Sequence, residues 1–211
     1  MIRKFSLCLI LMVLLTLTAG NAARADDRSD QIAGLFETSF AMENAGNYDR
    51  ALSDVQSILH LDPSHYIANY RAGWLYYLKA DYADSIKYYT KAATIAPGAM
   101  EPQLGLMLPL MAAQKWTDAE ALGKKLVERS PDNYLAGSRL AYIYYIQGKY
   151  KPAEQQYQAV LKNYPSEIDM MLGLGWTYLK EGRSAEAREM FQKVLSIRRQ
   201  NANALAGMKA L

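Results

Sequence analysis

The sequence predicts an all-α chain, a solenoid of five 34-residue helix-turn-helix units closed by a C-terminal capping helix. Three observations lead there. Pro63, Pro97, Pro131 and Pro165 stand 34 residues apart in each case, and a fixed period of this length marks a repeat architecture. Between them the apolar residues recur with a helical period, as in Ala51, Val55, Ile58 and Leu59 or Ala153, Tyr157, Val160 and Leu161. No segment carries the two-residue alternation of a half-buried strand.

The first 25 residues read as a secretory signal. Arg3 and Lys4 precede an apolar run from Phe5 to Thr18, and Ala23-Arg24-Ala25 supplies the small-x-small pattern of a cleavage site. The strongly apolar part is shorter than the roughly 20 residues that span a bilayer. The expected mature start is Asp26 and the expected location the periplasm, with an uncleaved N-terminal anchor as the alternative. Cys8, the only cysteine of the 211 residues, lies in this segment, too early for a lipoprotein site. Everything after it lacks disulfides, thiolate nucleophiles and cysteine-ligated metal. Export without cysteines fits a bacterial envelope better than a eukaryotic secretory route.

Charge excludes further classes. Arg3, Lys4 and Arg24 sit in the signal segment, which carries no acid, leaving 21 basic against 21 acidic side chains from residue 26 onward. A balanced chain offers no case for nucleic acid or for an anionic membrane surface.

A six-residue lead (26–31) precedes the five units, 32–65, 66–99, 100–133, 134–167 and 168–201, and residues 202–211 follow them. Each unit holds two helices. The breaks fall at Ala45-Gly46-Asn47, Lys79-Ala80-Asp81, Gln147-Gly148-Lys149 and Glu181-Gly182-Arg183, where a glycine or small residue turns the chain. The prolines are expected to close the second helices, and Ser64, Asp132 and Ser166 to cap the helices that follow. Twelve residues before each proline stand Ala51, Ser85, Ala119 and Ala153, and the same step in the fifth unit reaches Ala187.

The middle unit departs, with Met107 where its neighbours have a small residue, Gly123 where they have a large one, and Pro109 inside its first helix, a position that costs ~3 kcal/mol unless the helix bends. The fifth unit lacks its proline, so Ala202 to Leu211 is expected to continue as a cap with Leu205, Met208 and Leu211 inward.

The first helices carry two apolar stripes where packing needs one. Ala72, Gly73 and Tyr76, or Leu140, Ala141 and Tyr144, supply the packing stripe. The second holds Phe36 and Phe40 in unit one, Tyr70, Trp74 and Tyr77 in unit two, and Leu104, Leu108 and Met111 in unit three. It continues as Tyr142 and Tyr145 in unit four and Leu172, Trp176 and Leu179 in unit five. An apolar face left after core packing needs a cover.

These units resemble the tetratricopeptide repeat (TPR) family in their length, in Gly73, Ala141 and Gly175 within first helices, and in Ala51, Ala119, Ala153 and Ala187 early in second helices. The resemblance implies a right-handed superhelix whose first helices line a concave groove, so the second stripe falls on its inner wall. Two readings stay open. Either the stripe is a trough for an apolar peptide or amphipathic helix of a protein partner, or it is covered by neighbouring repeats, a terminal segment or a second copy of the chain.

Arg71 and Arg139 occupy the same place two units apart beside the groove, able to grip a peptide carboxylate or to pair with neighbouring acids. The family groove that holds acidic chaperone C-termini needs lysine, asparagine and arginine on its wall, and Phe36, Phe40, Tyr70 and Leu104 stand at most of those places.

Catalytic signals are missing. His60 and His65 flank the turn Asp62-Pro63 and share no helix face, and Gly173-Leu174-Gly175 lies within a predicted helix, not between a strand and a helix. No cofactor, metal or catalytic residue is expected. The expected function is a non-catalytic adaptor for an envelope assembly, with a self-associating scaffold and a lipid- or small-ligand-binding solenoid as alternatives.

Overall fold

The computed structural model describes residues 27–211, and all regular structure among them is helical. Helix α1 covers 27–44. It is followed by α2 (Tyr48–Leu61), α3 (Tyr66–Leu78), α4 (Tyr82–Ile95), α5 (Glu101–Ala112), α6 (Trp116–Arg129), α7 (Tyr134–Ile146), α8 (Tyr150–Asn163), α9 (Ile168–Lys180), α10 (Ser184–Ile197) and α11 (Ala202–Lys209). Odd and even helices pair as the first and second helices of five units. Residues 27–31, which the repeat count leaves outside the first unit, belong to α1. The expected signal segment and the expected mature start at Asp26 lie outside the described residues.

From α2 onward each helix packs on the next, α1 is tied to α2 by the Ser39 hydroxyl donating to the Ala51 carbonyl, and first helices also touch across units, α3 on α5, α5 on α7, α7 on α9 and α9 on α11. No pair of successive second helices makes a comparable contact among the described residues. First helices therefore crowd an inner wall while second helices splay on the outside.

The turn inside each unit is a left-handed residue recurring every 34 positions: Gly46 (φ 72°), Ala80 (58°), Gln114 (55°), Gly148 (72°) and Gly182 (75°). The next residue's N–H reaches back to close each first helix, as in Asp81 to the Tyr76 carbonyl and Lys115 to that of Leu110, at 2.9 and 2.8 Å. Glycine is free in this region and Ala80 and Gln114 are not.

Between units, the second helices end where the prolines were expected to close them, and the expected N-caps are corrected. Second helices end two residues before the prolines, at Leu61, Ile95, Arg129 and Asn163, and α10 ends at the matching Ile197 although Arg199 replaces the proline. Arg198 takes the same extended geometry (φ −131°, ψ 88°) as the pre-proline Asp62 (φ −136°, ψ 93°). Proline favours that conformation in its predecessor, and the fifth unit reaches it without one.

The N-caps, moreover, are not Ser64, Asp132 and Ser166 but the residues one later. His65 accepts from the Ala68 N–H through Nδ1 at 3.3 Å, Asn133 Oδ1 accepts from Ala136 at 2.9 Å, and Asn201 caps α11 in the same register. Glu167 holds the place in unit five without a side-chain bond. Asp62 Oδ1 instead accepts from the Ser64 N–H, so the residues after the prolines serve the turn, not the helix.

The core is keyed by size. Ala51, Ser85, Ala119, Ala153 and Ala187 are fully buried, and Tyr89 and Phe191 are among the largest fully buried side chains. A Cβ on Gly73 or Gly105 would lie 2.7 or 2.4 Å from the Tyr89 ring, and one on Gly175 or Gly207 2.7 or 2.4 Å from Phe191. Glycines on two successive first helices thus clasp one second-helix aromatic.

Unit three inverts the arrangement, since Met107 replaces the small residue and Gly123 the aromatic. A Cβ on Gly123 would stand 3.1 Å from Met107 Cε. The two departures seen in the sequence compensate each other.

Helix α11 is a separate helix in the place of a sixth first helix. Its buried face is Ala204 and Gly207, with Met208 and Leu211 partly buried against the C-terminal core. Leu205, expected inward, is 42% exposed. Close contact of Gly207 with Phe191 sets the rotation of the helix and turns position 205 outward.

Candidate functional site

Two apolar clefts open on the inner wall. The first, about 470 Å³, lies between α1 and α3 and is lined by Phe40, Glu43, Asn44, Ile67, Tyr70, Arg71 and Trp74. Phe40 and Ile67 are 50% and 51% exposed. Trp74 is half-buried, stacks on Tyr77 with ring centroids 5.7 Å apart, and donates its indole N–H to Glu43 Oε1 at 2.6 Å. The Phe36 ring leans on His65 at 5.4 Å and packs on the first core cluster.

The second cleft, about 300 Å³, lies among α7, α9 and α11. It is lined by Tyr142, Tyr145, Trp176 and Leu172, with Tyr157 at its base and Ser138, Asp169 and Asn203 at its rim. Tyr142 is 44% exposed and Leu172 only 5%. Leu172, which the sequence places on the groove wall, lines this cleft as part of its floor, with its side chain almost fully buried. Trp176 packs edge-on against Phe191 at 5.3 Å and donates to Asn203 Oδ1 of α11 at 2.7 Å, so the capping helix holds it in place.

Between the clefts, Leu104 and Met111 pack on the middle core, and Leu108 beside them is half-buried. Helix α5 runs unbroken through Pro109.

The two arginines differ. Arg71 is 5% exposed, with Nη2 2.9 Å from both Glu43 Oε2 and Ser39 Oγ, and its guanidinium carbon lies 3.6 Å from the centre of the Phe40 ring. Of the two roles the sequence leaves open for Arg71, the structure shows the internal pairing with a neighbouring acid, at the edge of the first cleft. Arg139, half-buried on α7, reaches to α5, where Nη1 donates to the Leu104 carbonyl at 2.5 Å. Burial pulls both guanidinium groups below their usual pKa.

Sequence reasoning missed Ile67, Glu43, Asn44 and Asn203. Ile67 was detectable, because Leu135 holds the same place two units on and is 43% exposed. Asn203 was not, since its bond to Trp176 depends on how α11 docks.

His60 is exposed and His65 serves as a cap. Among the described residues no group of three histidine, cysteine, aspartate or glutamate side chains could hold a metal ion, and no helix is long and apolar enough to cross a membrane.

A stack of helix pairs with an aromatic inner wall defines a helical-repeat scaffold. The family model described as tetratricopeptide repeat matches residues 43–99, 109–168 and 138–204, and the chain belongs to that family. Among curated proteins it is 35% identical over 96 residues to DnaJ homolog subfamily C member 3 of Rattus norvegicus, a match covering 46% of this chain and 19% of that one. The chain thus spans about a fifth of that relative's length.

Among solved structures it is similar to YrrB, described as a TPR protein with an unusual peptide-binding site, at TM-score 0.71 and 23% identity over 83% of this chain and 90% of that one. It is also similar to MamA of Desulfovibrio magneticus, at TM-score 0.76 and 17% identity over 82% and 97%. At these identities the likeness shows the fold. The TPR fold is that of a protein–protein interaction scaffold, and proteins of the family are generally non-catalytic.

Proposed function

We propose that this chain is an exported adaptor that binds an apolar peptide or amphipathic helix of another protein along its inner wall. The observation that carries the reading is the pair of clefts, where Phe40, Ile67 and Tyr142 remain about half exposed on the face that first helices build. Apolar surface of this kind, rimmed by polar groups, is a docking surface, and rigid tyrosine and tryptophan side chains make efficient anchors. The Ala23-Arg24-Ala25 signal supports an envelope location.

A photoreactive residue at position 142, compared with one at the exposed second-helix position 159, tests the groove in cells that make the protein. A discrete adduct with another protein at 142 alone is expected; equal yields at both positions, or none at 142, overturn it. N-terminal sequencing of the exported product is expected to begin at Asp26, and recovery of Met1 in the membrane fraction overturns cleavage.

Self-association is a second reading, favoured by Ile197 and Leu205 at the C-terminal edge, which are 54% and 42% exposed. Light scattering is decisive here, because a monomer at all concentrations overturns it and a dimer that Leu205→Glu dissociates supports it.

A further inference from the structure

Arg139 and Arg71 are repeat-equivalent, 68 residues apart, yet only one is electrostatically complete. The partners of Arg71 are Ser39, Phe40 and Glu43. At the matching places before Arg139 stand Met107, Leu108 and Met111, which offer neither a carboxylate, a hydroxyl nor an aromatic face.

Among the described residues no carboxylate lies within 4.0 Å of Arg139, and the Leu104 carbonyl is the only hydrogen-bond acceptor it meets. A guanidinium carries five N–H donors, so most of its capacity is open. Glu101, the acid of α5, is engaged elsewhere, accepting from the Tyr66 hydroxyl at 2.7 Å. The electrostatic neighbours of Arg139 are Tyr89, Tyr77 and Tyr70, the last two belonging to the second stripe of α3. A half-buried cation without an anion is held at a cost, and a carboxylate removes it through charge-assisted bonds. Arg139 lines neither cleft but bridges from α7 of unit four to α5 of unit three, the first helix that separates the helices lining them.

Resting on the groove reading above, we propose that Arg139 reads the bound segment: the partner carries an aspartate or glutamate side chain between apolar residues, the acid pairing with Arg139 while the flanking apolar side chains fill the clefts. Arg71, closed by Glu43, takes no part.

The test is a random dodecapeptide library displayed with its C-terminus fused, so that side chains are the only carboxylates on offer, and panned on the exported chain and on Arg139→Gln. The wild type is expected to select peptides with an acid at one position between aromatic or aliphatic residues. Arg139→Gln is expected to select the apolar residues without the acid. A synthetic consensus peptide with that acid changed to its amide should bind the wild type about tenfold more weakly and the variant equally.

Selected peptides that are apolar with no fixed acid overturn the inference and leave the groove reading standing, while no enrichment overturns both. An acid preference that survives Arg139→Gln also overturns it. An acid peptide that binds the wild type no better than its amide overturns the inference even where the variant fails to fold.

Discussion

At the scale of the residue, the left-handed turn position shows how the repeat tolerates local strain. Three of its five occupants are glycine, while Ala80 and Gln114 take φ 58° and 55° with a Cβ in the way. Gln114→Gly relieves that strain at the cost of a more flexible unfolded chain, and is expected to stabilise the protein by about 0.5–1 kcal/mol in denaturant titration, with Gly148→Ala destabilising by a similar amount.

Trp74 poses the question of wall or core. It is half-buried, and its loss leaves Glu43 still paired with Arg71. Tyr89 is 1% exposed, so Tyr89→Ala should cost ~3–5 kcal/mol by leaving a cavity, and Trp74→Ala about 1 kcal/mol, readable by thermal melting. Tyr76, which the sequence places on the packing stripe, makes a poor core comparison. It is half-buried, stacked on Tyr88 and bonded by Gln56 at 3.0 Å.

At the scale of the element, complementarity between helices outweighs the identity of either residue. Met107 and Gly123 form a swapped pair within unit three, and restoring one side alone should fail. Gly123→Tyr meets Met107 and Leu140 and is expected to destabilise by about 1–3 kcal/mol, as overpacking does. Adding Met107→Gly should recover at least ~1 kcal/mol in a double-mutant cycle, and strict additivity would show that the two are independent.

Helices α6 and α8 are also tied by charge. Glu120 accepts from Lys124 at 2.7 Å and from Lys149, beside the start of α8, at 2.5 Å. These bonds pull its carboxyl down to about 2. A depressed carboxylate contributes stability that is complete above its unfolded value near 4.5 and is lost as pH falls toward 2. The melting temperature of Glu120→Gln is therefore expected to be lower than that of the wild type at pH 6 and to fall less between pH 5 and pH 2.

At the scale of the whole molecule, stability is a chain of nearest-neighbour interfaces. The first helices touch only their neighbours in the array, and α11 is the final link, covering Phe191 through Gly207 and fixing Trp176 through Asn203. Removing residues 202–211 should expose the buried faces of α9 and α10, lower the melting temperature and reduce solubility. Hydrogen exchange of the full chain is expected to be fastest at the terminal helices and slowest in units two to four, whereas uniform protection would argue for a single cooperative block.

The sequence alone determined the architecture, because a repeat that contacts only its neighbours must write its core into a short local period. The five units, the helical turns and the compensating departures of unit three all lie on that period. The second stripe was legible as an apolar surplus, but only the structure divides it: Phe36, Leu104 and Met111 pack on the cores while Phe40 and Tyr142 stay about half exposed. Local bonding was less legible: whether Ser64 or His65 caps α3 depends on one residue of register in a turn, and only the docking of the next helix fixes it.

Leu205 was misplaced for the same reason. The rotation of α11 is set by contacts between helices, not within them. The two arginines mark the boundary most clearly, since their shared place in the repeat is written in the sequence, but the pairing of Arg71 and the unfilled charge of Arg139 arise where one unit meets another.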